Sequence, residues 1–265
     1  MFVIGERING MFGDVAQAIK DKNKRAIQDL ALRQIDSGAR ALDVNVGTAV
    51  AEPVPAMEWL VDTIKEVTNI TLAIDTTKLA VMEAGLKHCK SKPIINSSSA
   101  DDEKLNVLIP LAKKYNASLI GLTMSKKGIP QDAPSRIELA AKIISCWQDA
   151  GLNLENLYID AVILPVNVAQ SHCPEVLQTI REVKMLSDPS PKTVLGLSNV
   201  SQGTKFRSLV NRTYLVMAVT CGLDAAIMDP LDKELMEASF TAELLLNKTV
   251  YCDSFLESCK KPTKS

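Results

Sequence analysis

The sequence lacks the features that mark several large classes of protein. No apolar run reaches the roughly 18 residues of a membrane span, and residues 1–7 show no basic segment followed by an apolar signal core. From these absences we expect a cytoplasmic protein without membrane contacts. The six cysteines have no C-x-x-C spacing, which disfavours a zinc site and a chain-borne iron–sulfur cluster. We expect most of them to be reduced thiols that pack as small apolar groups.

Excess charge of one sign and histidine are also scarce. The 30 basic residues balance 31 acidic residues, so no global field attracts nucleic acid or an anionic membrane. The two histidines, His88 late in a predicted helix and His172 in a predicted loop, are expected to be structural or surface residues. No His, Asp and Glu cluster has the spacing of metal ligands. The sequence therefore predicts no metal site and no nucleic-acid partner.

What the sequence has is a regular alternation of short Val-, Ile- and Leu-rich segments with helical patterns, which indicates parallel strands buried on both faces. The predicted strands are Phe2–Ile8, Ala41–Val46, Thr71–Thr76, Pro93–Ser98, Ser118–Thr123, Leu157–Leu164, Thr193–Asn199 and Ala225–Asp229. The predicted helices are Val15–Ser37, Pro55–Thr68, Lys78–Lys90, Asp102–Tyr115, Ala133–Ala150, Pro174–Leu186, Lys205–Cys221 and Lys233–Asn247.

Eight strand–helix units without a long linker predict an α/β fold, a single (β/α)8 TIM barrel that forms one domain over residues 1–265. An open doubly wound sheet is the alternative, but residues 6–10 do not form its glycine-rich phosphate turn. Glycines predicted to end helices in a left-handed conformation are Gly38, Gly85, Gly151 and Gly222. Residues 255–265 are rich in Lys, Ser and Pro and are predicted to be a frayed tail.

Polar side chains stand at the carboxyl ends of the predicted strands, the end at which TIM barrels keep their chemistry. These residues are Glu6, Asn9, Asp43, Asn45, Asp75, Asn96, Asp160, Asn167 and Asn199. An unpaired buried polar group costs about 1–3 kcal/mol, so each of them needs a partner from the protein or from a ligand. A carboxylate accepts two parallel N–H donors and an amide donates and accepts, which suits a flat heterocycle edged with amine, amide and lactam groups.

The stretch 195–203 changes from an apolar strand to small polar residues, and burial of apolar surface does not explain this change. Ser198, Asn199, Ser201 and Gln202 place four hydrogen-bonding side chains at the end of the strand. The pattern is typical of a functional site. A strand-to-helix loop with ordinary capping residues is the alternative.

Six short motifs resemble those of the pterin-binding barrels, and the likeness extends over all eight predicted strands. The motifs are Gly5-Glu6-Arg7-Ile8-Asn9, Leu42-Asp43-Val44-Asn45, Ile74-Asp75, Ile95-Asn96-Ser97, Ile159-Asp160 and Gly196-Leu197-Ser198-Asn199-Val200-Ser201. Within that group the chain is similar to the methyltetrahydrofolate:corrinoid methyltransferases. It most resembles the stand-alone enzymes that serve the corrinoid/iron–sulfur protein of the acetyl-CoA pathway.

The resemblance implies transfer of the N5-methyl group of 5-methyltetrahydrofolate to cobalt(I), with Asn199 as the catalytic residue. The substrate-binding residues that it implies are Asp75, Asn96, Asp160, Ser198, Gln202 and Arg207. The first three would hold the pterin edge, and Gln202 and Arg207 would reach toward the p-aminobenzoyl and glutamate part. A solvated charge early in a helix is the alternative for Arg207. Because a carboxamide does not ionise usefully, we expect Asn199 to accept a hydrogen bond from protonated N5.

The resemblance also implies partners. No cofactor would be bound permanently: methyltetrahydrofolate is a substrate, and a cobalamin-type corrinoid is supplied by a corrinoid/iron–sulfur protein. A homodimer is expected on the same ground. Met11, Phe12 and Gly13 are candidates for the contact with the partner, and the alternative is a hydrophobic staple against the first helix.

The sequence departs from two other pterin-binding groups. Dihydropteroate synthases carry a Ser-Arg-Lys pattern on strand 7, where this chain has Leu197-Ser198-Asn199. Methionine synthases add a cobalamin module with an Asp-x-His-x-x-Gly motif, and neither histidine lies in such a motif. A pteroate-forming synthase and a non-catalytic pterin-binding subunit remain as rival interpretations.

Overall fold

The computed structural model describes residues 1–48 and 50–252, which form a closed barrel of parallel strands. The strands are β1 (Phe2–Asn9), β2 (Ala41–Asn45), β3 (Thr71–Asp75), β4 (Ile94–Ser99), β5 (Ser118–Leu122), β6 (Leu157–Asp160), β7 (Lys192–Gly196) and β8 (Ala225–Met228). Each strand pairs with its neighbours in chain order, and β1 pairs with β8 to close the sheet. The predicted (β/α)8 TIM barrel is confirmed.

The connections between the strands are helical. They contain α1 (Gly13–Lys20), α2 (Lys24–Asp36), α3 (Pro53–Lys65), α4 (Leu79–His88), α5 (Asp102–Lys114), α6 (Ala133–Asp149), α7 (Val166–Ala169), α8 (His172–Val183) and α9 (Arg207–Thr220), and α10 (Lys233–Leu245) follows β8. Buried side chains such as Met57, Leu60 and Trp147 hold the helices against the sheet. Each such apolar side chain contributes about 1.5–3 kcal/mol when it is fully buried.

The barrel interior is filled by side chains that alternate along each strand with those facing the helices. Ile4, Ala73, Ile94, Ile120 and Val194 belong to one buried inner layer. Two residues further along β1, β2, β3, β4 and β6, toward their carboxyl ends, the inward positions become acidic or amide-bearing. The apolar layer therefore forms the floor on which the polar side chains of the barrel mouth stand.

Two irregularities of pairing lie at this end of the sheet. The register of β1 against β2 shifts between Gly5 and Ile8, and that of β4 against β5 shifts between Asn96 and Ser98. Such bulges redirect the side chains next to them and recur beside active sites. Both irregularities adjoin residues predicted at the strand ends.

Most predicted elements differ from the observed ones by a few residues at an end, and three of the differences change the local interpretation. The helix Val15–Ser37 is divided into α1 and α2, because Lys22 adopts a φ of 53° and the Asn23 side chain caps α2 through the Ala26 N–H. No glycine or proline marks this break in the sequence. The strand predicted over Leu157–Leu164 ends at Asp160.

The third difference concerns the strand predicted over Thr193–Asn199, which ends at Gly196 and continues as a 3-10 turn, Leu197–Ser201. Three of the four polar side chains of the stretch 195–203 therefore project from a turn rather than from a strand. Gln202 follows directly after the turn. His172, predicted in a loop, is instead the first residue of α8 and is buried.

Glycines explain how several helices end. Gly38, Gly151 and Gly222 adopt φ values of 105°, 71° and 103°, which confirms the predicted left-handed ends. The same prediction is wrong for Gly85, which lies inside α4. A Cβ atom there would stand 2.8 Å from Cγ2 of Ile74 on β3, so glycine is needed for close packing of α4 on the sheet.

Within the described residues no helix is long and apolar enough to cross a membrane. Cys89, Cys146 and Cys173 are partly buried and Cys221 is buried, as predicted for thiols that pack as small apolar groups. The predicted frayed tail, 255–265, lies outside the described residues. The prediction of one domain over residues 1–265 stays a prediction.

Candidate functional site

The mouth of the barrel carries a ring of acidic and amide side chains. On β2, β3 and β6 they occupy inward positions directly above the apolar inner layer, because side chains alternate along a strand. Asp43 follows Ala41 in this way, Asp75 follows Ala73, and Asp160 follows Tyr158. The carboxyl ends of all eight strands meet at this mouth, which is the position of the active site in TIM-barrel enzymes.

Each of the acids on β2 and β3 accepts a hydrogen bond from an amide side chain on a different strand. Nδ2 of Asn96 donates to Oδ1 of Asp43 at 2.8 Å, and Nδ2 of Asn45 donates to Oδ2 of Asp75 at 2.7 Å. Oδ1 of Asn45 accepts from the N–H of Gly47 at 2.7 Å. Each carboxylate keeps a second oxygen, so the network fixes the acids in place and leaves acceptor capacity for a ligand.

These acids are held in conditions that oppose their ionisation. Burial raises the pKa of Asp43 well above its usual range, and the nearby Asp75 carboxylate raises it further. Burial also raises the pKa of Asp75. A ligand with N–H donors would supply the hydrogen bonds that stabilise the charged form. The pair is therefore suited to a donor-rich or cationic ligand edge.

Asp160 faces the mouth from β6. The N–H of Val162 donates to its Oδ1 at 2.7 Å, and burial raises its pKa to about 6. Val162 has a φ of 57°, a left-handed conformation that is unusual for a β-branched residue. The conformation turns the Val162 N–H toward the carboxylate. Asp160 is thus oriented by the turn that follows its own strand.

A fully buried arginine supports that turn from behind. The guanidinium of Arg136 on α6 donates to the carbonyl oxygens of Ala161 and Val162, the latter at 3.0 Å. Its Nη2 also contacts Nδ1 of His172 at 2.7 Å. Burial, together with the charge of Arg136, lowers the pKa of His172, so the imidazole is neutral at pH 7 and accepts this hydrogen bond.

The 3-10 turn after β7 forms another side of the mouth. Oγ of Ser198 donates to Oε1 of Glu6 on β1 at 2.6 Å. Arg207, the first residue of α9, donates through Nε to Oγ of Ser201 at 3.2 Å and through Nη2 to the Ser198 carbonyl at 3.4 Å. Arg207 therefore braces the turn, although the residue remains exposed.

Asn199 lies at the tip of this turn and is exposed. A Cβ atom on Gly196 would stand 3.1 Å from Nδ2 of Asn199, so the carboxamide lies close over the end of β7. Across residues 1–48 and 50–252, no group hydrogen-bonds to this carboxamide. It differs in this from Asn45 and Asn96, which are engaged by neighbouring acids.

Glu6 and Asp229 bring two further acids to the mouth, from β1 and from the residue after β8. Burial raises the pKa of Glu6 to about 7, with a further contribution from the Asp229 carboxylate. Burial raises the pKa of Asp229 as well. The mouth therefore holds five carboxyl groups that do not all ionise readily at neutral pH.

The predicted site residues fall into two groups in the structure. Asp75, Asn96 and Asp160 stand on strands β3, β4 and β6, and the residues Ser198, Asn199, Gln202 and Arg207 cluster at the turn after β7. Their roles stay predictions. Glu6 and Asp43 were noted at strand ends without a role, and Asp229 and Arg136 were missed. The Ile227-Met228-Asp229 pattern, an acid after an apolar strand, is the signal that could have identified Asp229.

The turn after β1, proposed as a partner contact, exposes apolar surface. Met11 is 68% exposed, and the guanidinium of Arg7 lies 4.1 Å from the ring centroid of Phe12. As for metal binding, no group of three or more His, Cys, Asp and Glu residues in the described part of the chain is arranged to hold an ion.

Known proteins resemble the chain over most of its length. The model of the family described as pterin binding enzyme matches residues 12–229. A methylcorrinoid:tetrahydrofolate methyltransferase of Eubacterium limosum is 28% identical over 267 residues, which cover 98% of this chain and 97% of the relative. A methionine synthase of Mycobacterium tuberculosis (strain ATCC 25618 / H37Rv) is 28% identical over 242 residues, which cover 86% of this chain but only 20% of that protein.

Solved structures show the same fold. The Yersinia pestis DHPS with a pterine-sulfa conjugate superposes with a TM-score of 0.69 at 18% identity, covering 93% of this chain and 94% of that one. A dihydropteroate synthase from Coxiella burnetii in complex with pteroic acid gives a TM-score of 0.68 at 15% identity, with 94% of both chains covered. At these identities the likeness concerns the fold alone.

Proposed function

Because the chain belongs to the family of pterin-binding enzymes, we propose that it is a methyltransferase acting between 5-methyltetrahydrofolate and the cobalt of a corrinoid. The observation that carries this proposal is the composition of the barrel mouth. Acids and amides stand at the ends of several strands, and the carboxamide of Asn199 on the β7 turn has no hydrogen-bond partner among the described residues. The name of the Eubacterium limosum relative, which the chain matches over nearly its whole length, supports the same chemistry.

In this proposal Asp75, Asn96 and Asp160 hold the edge of the pterin ring. The network leaves one oxygen of Asp75 without a hydrogen bond within the described residues, and Asn96 uses only its Nδ2. Paired N–H donors of a pterin match a carboxylate in the bidentate manner that gives both strength and orientation. Binding would shift the acids toward their charged forms, because the ligand replaces the water that burial has removed.

Asn199 acts at the reacting nitrogen. The tertiary amine N5 is a poor leaving group until it carries positive charge, and a hydrogen-bond acceptor at that position stabilises the protonated amine. A preorganised hydrogen bond of this kind contributes about 2.7–4 kcal/mol to a transition state. The free carboxamide of Asn199 is able to provide it without breaking a bond to the protein.

Gln202 and Arg207 extend the site toward the tail of the folate. Both lie at the outer end of the β7 turn and are exposed. Two N–H groups of Arg207 donate to the turn itself, and the remaining N–H groups suit an anionic glutamate. Ser198, whose hydroxyl is bound to Glu6, would contact the pterin from the same turn.

The methyl group is proposed to move from N5 to cobalt(I). The corrinoid enters as a substrate carried by a partner, which we propose to be a corrinoid/iron–sulfur protein of the acetyl-CoA pathway. Homodimerisation and a cytoplasmic location belong to the same proposal. The name of the Eubacterium limosum relative gives a methylcorrinoid as the donor. One site serves both directions, because forward and reverse reactions share a transition state.

The test is to mix the protein with methyltetrahydrofolate and free cobalt(I) cobalamin and to follow the corrinoid spectrum. We expect methylcobalamin to form together with equimolar tetrahydrofolate. A pteroate-forming synthase would instead condense a pterin with p-aminobenzoate and leave the cobalt spectrum unchanged. A non-catalytic pterin-binding subunit would bind the folate and do neither.

A further inference from the structure

Glu6 is bonded to the turn that carries Asn199. It occupies an inward position of β1, two residues after Ile4 of the buried inner layer. The hydroxyl of Ser198 reaches it across β8, with 2.6 Å between Oγ and Oε1. Glu6 is thus bonded to the residue before Asn199, whereas Asp75 and Asp160 are proposed to hold the pterin edge.

The groups that face Glu6 come from every neighbouring element. Asp229 after β8 opposes its ionisation, and the charge of Glu6 in turn raises the pKa of Asp43 on β2. Ser198 on the β7 turn favours its charged form through the hydrogen bond. Burial and the Asp229 carboxylate therefore raise the pKa of Glu6, and the Ser198 hydroxyl and nearby cations lower it.

The cations are Arg7 on β1 and Arg207 on α9, and both favour the carboxylate. Neither makes a hydrogen bond to Glu6 among the described residues, since Arg7 donates to Asp14 and Arg207 to the β7 turn. The opposing effects leave the pKa of Glu6 at about 7. A carboxyl group in that range gives and takes a proton at neutral pH, as a general acid or base must.

The proposed methyl transfer needs such a group. Asn199 has no proton to give, and Asp75, Asn96 and Asp160 are assigned to the pterin edge. We propose that Glu6 is the general acid that protonates N5 of the bound folate, while the hydroxyl of Ser198 fixes it to the turn that carries Asn199. This inference rests on the proposed function and adds a catalytic residue to it.

The step balances as follows. The proton of the Glu6 carboxyl moves to N5, and Asn199 accepts a hydrogen bond from the resulting N–H. Cobalt(I) supplies the electron pair of the new cobalt–methyl bond and becomes formally cobalt(III), while the electron pair of the N5–methyl bond stays on nitrogen. In the reverse reaction the Glu6 carboxylate takes the proton from N5 after it has gained the methyl group.

The variant Glu6→Gln tests this directly, because it keeps the shape and still accepts from Ser198 but cannot release a proton. We expect the rate of methyl transfer to fall by about 10²-fold or more, and the dissociation constant of methyltetrahydrofolate to change less than about threefold. In the wild type the forward rate should fall as pH rises through about 7. The reverse rate should rise over the same interval. In Glu6→Gln neither rate should depend on pH in this interval, so both limbs of the pH–rate profile should disappear.

Two neighbours give a signature that a structural role would not produce. Asp229→Asn removes a charge that opposes the ionisation of Glu6, so this limb of the pH–rate profile should move to lower pH. Ser198→Ala removes a hydrogen bond that favours the ionisation of Glu6, so the same limb of the pH–rate profile should move to higher pH. Glu6→Asp retains an ionisable group and should keep a pH limb at reduced rate.

The outcomes separate the two proposals. If the wild type transfers no methyl group, the proposed function fails and the assignment of Glu6 as its acid fails with it. If the wild type is active and Glu6→Gln keeps both its rate and its pH limb, Glu6 is not the acid. Should Glu6→Gln fail to fold, unchanged limbs in Asp229→Asn and Ser198→Ala would equally overturn the assignment.

Discussion

Three of the asparagines at the barrel mouth, Asn45, Asn96 and Asn199, have surroundings that assign them different tasks. Asn45 and Asn96 donate to Asp75 and Asp43 and so hold the acids in position. Asn199 lies on an exposed turn, and within the described residues nothing bonds to its carboxamide. An amide that is free in the unliganded protein can meet the substrate without first losing a partner, which suits a role in the transition state.

Replacement of Asn199 by Ala should therefore damage catalysis more than binding. We expect kcat for methyl transfer to fall by about 10²–10³-fold, because one preorganised hydrogen bond to developing charge is lost. The dissociation constant of methyltetrahydrofolate, measured by calorimetry, should change by less than about threefold. Asn156→Ala, at the opposite end of the barrel beside Lys92, is the matched control and should leave both quantities unchanged. Equal losses in rate and affinity would contradict the proposed role.

At the scale of elements, the turn after β6 depends on a residue of α6. The carbonyl oxygens of Ala161 and Val162 receive their hydrogen bonds from Arg136, and the Val162 N–H in turn holds Asp160. A β-branched residue keeps a left-handed conformation only where its surroundings enforce it. Arg136 provides that enforcement, so the orientation of a pterin-edge residue is set from outside the barrel.

Arg136→Met should accordingly destabilise the protein and weaken folate binding together. The change leaves the carbonyl oxygens of Ala161 and Val162 without this donor, at about 1–3 kcal/mol for each unsatisfied group. We expect a loss of about 3 kcal/mol in the free energy of unfolding, measured with urea. Arg25→Met, at an exposed position of α2, is the control and should cost less than about 0.5 kcal/mol. A small effect of Arg136→Met on stability and folate binding would show that the turn after β6 keeps its conformation without Arg136.

The contact between α4 and β3 gives a second test at this scale. In Gly85→Ala the new Cβ would lie 2.8 Å from Cγ2 of Ile74, the residue before Asp75. Overpacking of this kind costs about 1–3 kcal/mol, which denaturant unfolding would report. Gly13→Ala in the first turn of α1 meets nothing within 4 Å and should be neutral or slightly stabilising. Similar results for both glycines would argue against close packing at Gly85.

The elements that the sequence predicts well are those with a strong local signal. Every strand begins within one residue of its predicted start, because each is a compact apolar run between polar segments. The division between α1 and α2 was not predicted, since the break at Lys22 and Asn23 uses no glycine or proline. The 3-10 turn after β7 was merged with its strand because Leu197 and Val200 continue the apolar pattern.

The site was predictable only in part for a related reason. An acid after an apolar strand is visible in the sequence, so Asp75 and Asp160 could be selected. Contacts across the closed barrel are not visible, and the bond between Ser198 and Glu6 joins residues 192 positions apart. Arg136 resembles an ordinary surface charge in a helical pattern, and only the packing of α6 against the β6 turn shows that it is buried.

For the whole molecule, closure of the barrel concentrates five carboxyl groups at one end of a chain whose net charge is −1. All five have raised pKa values, and burial is the first cause for each. Their arrangement opposes stability at neutral pH and favours a ligand with N–H donors. Burial of these acids therefore lowers the free energy of unfolding at neutral pH and leaves them able to bind such a ligand.

This arrangement predicts how stability depends on pH. The pKa of Glu6 is about 7 in the folded protein against 4.5 for the free group, so the folded state binds an extra proton between these values. Stability contributed by this proton is present at low pH and is lost as pH rises toward 7. The unfolding free energy of the wild type relative to Glu6→Gln should fall by up to about 3 kcal/mol from pH 4 to pH 8.

Glu103→Gln, an exposed position on α5, provides the control for this comparison. Its unfolding free energy relative to the wild type should vary by less than about 0.5 kcal/mol over the same pH interval. A flat difference for Glu6→Gln as well would mean that Glu6 ionises normally in the folded protein, and it would remove the basis for its role as an acid.

The central claim is that the acid and amide side chains of the barrel mouth bind a pterin and present its N5 to Asn199. A crystal structure with bound methyltetrahydrofolate tests this most directly. The account predicts the pterin edge within hydrogen-bond distance of Asp75, Asn96 and Asp160, with N5 beside the Asn199 carboxamide. A folate bound elsewhere, or mouth residues that bond only to one another while the ligand is present, would contradict it.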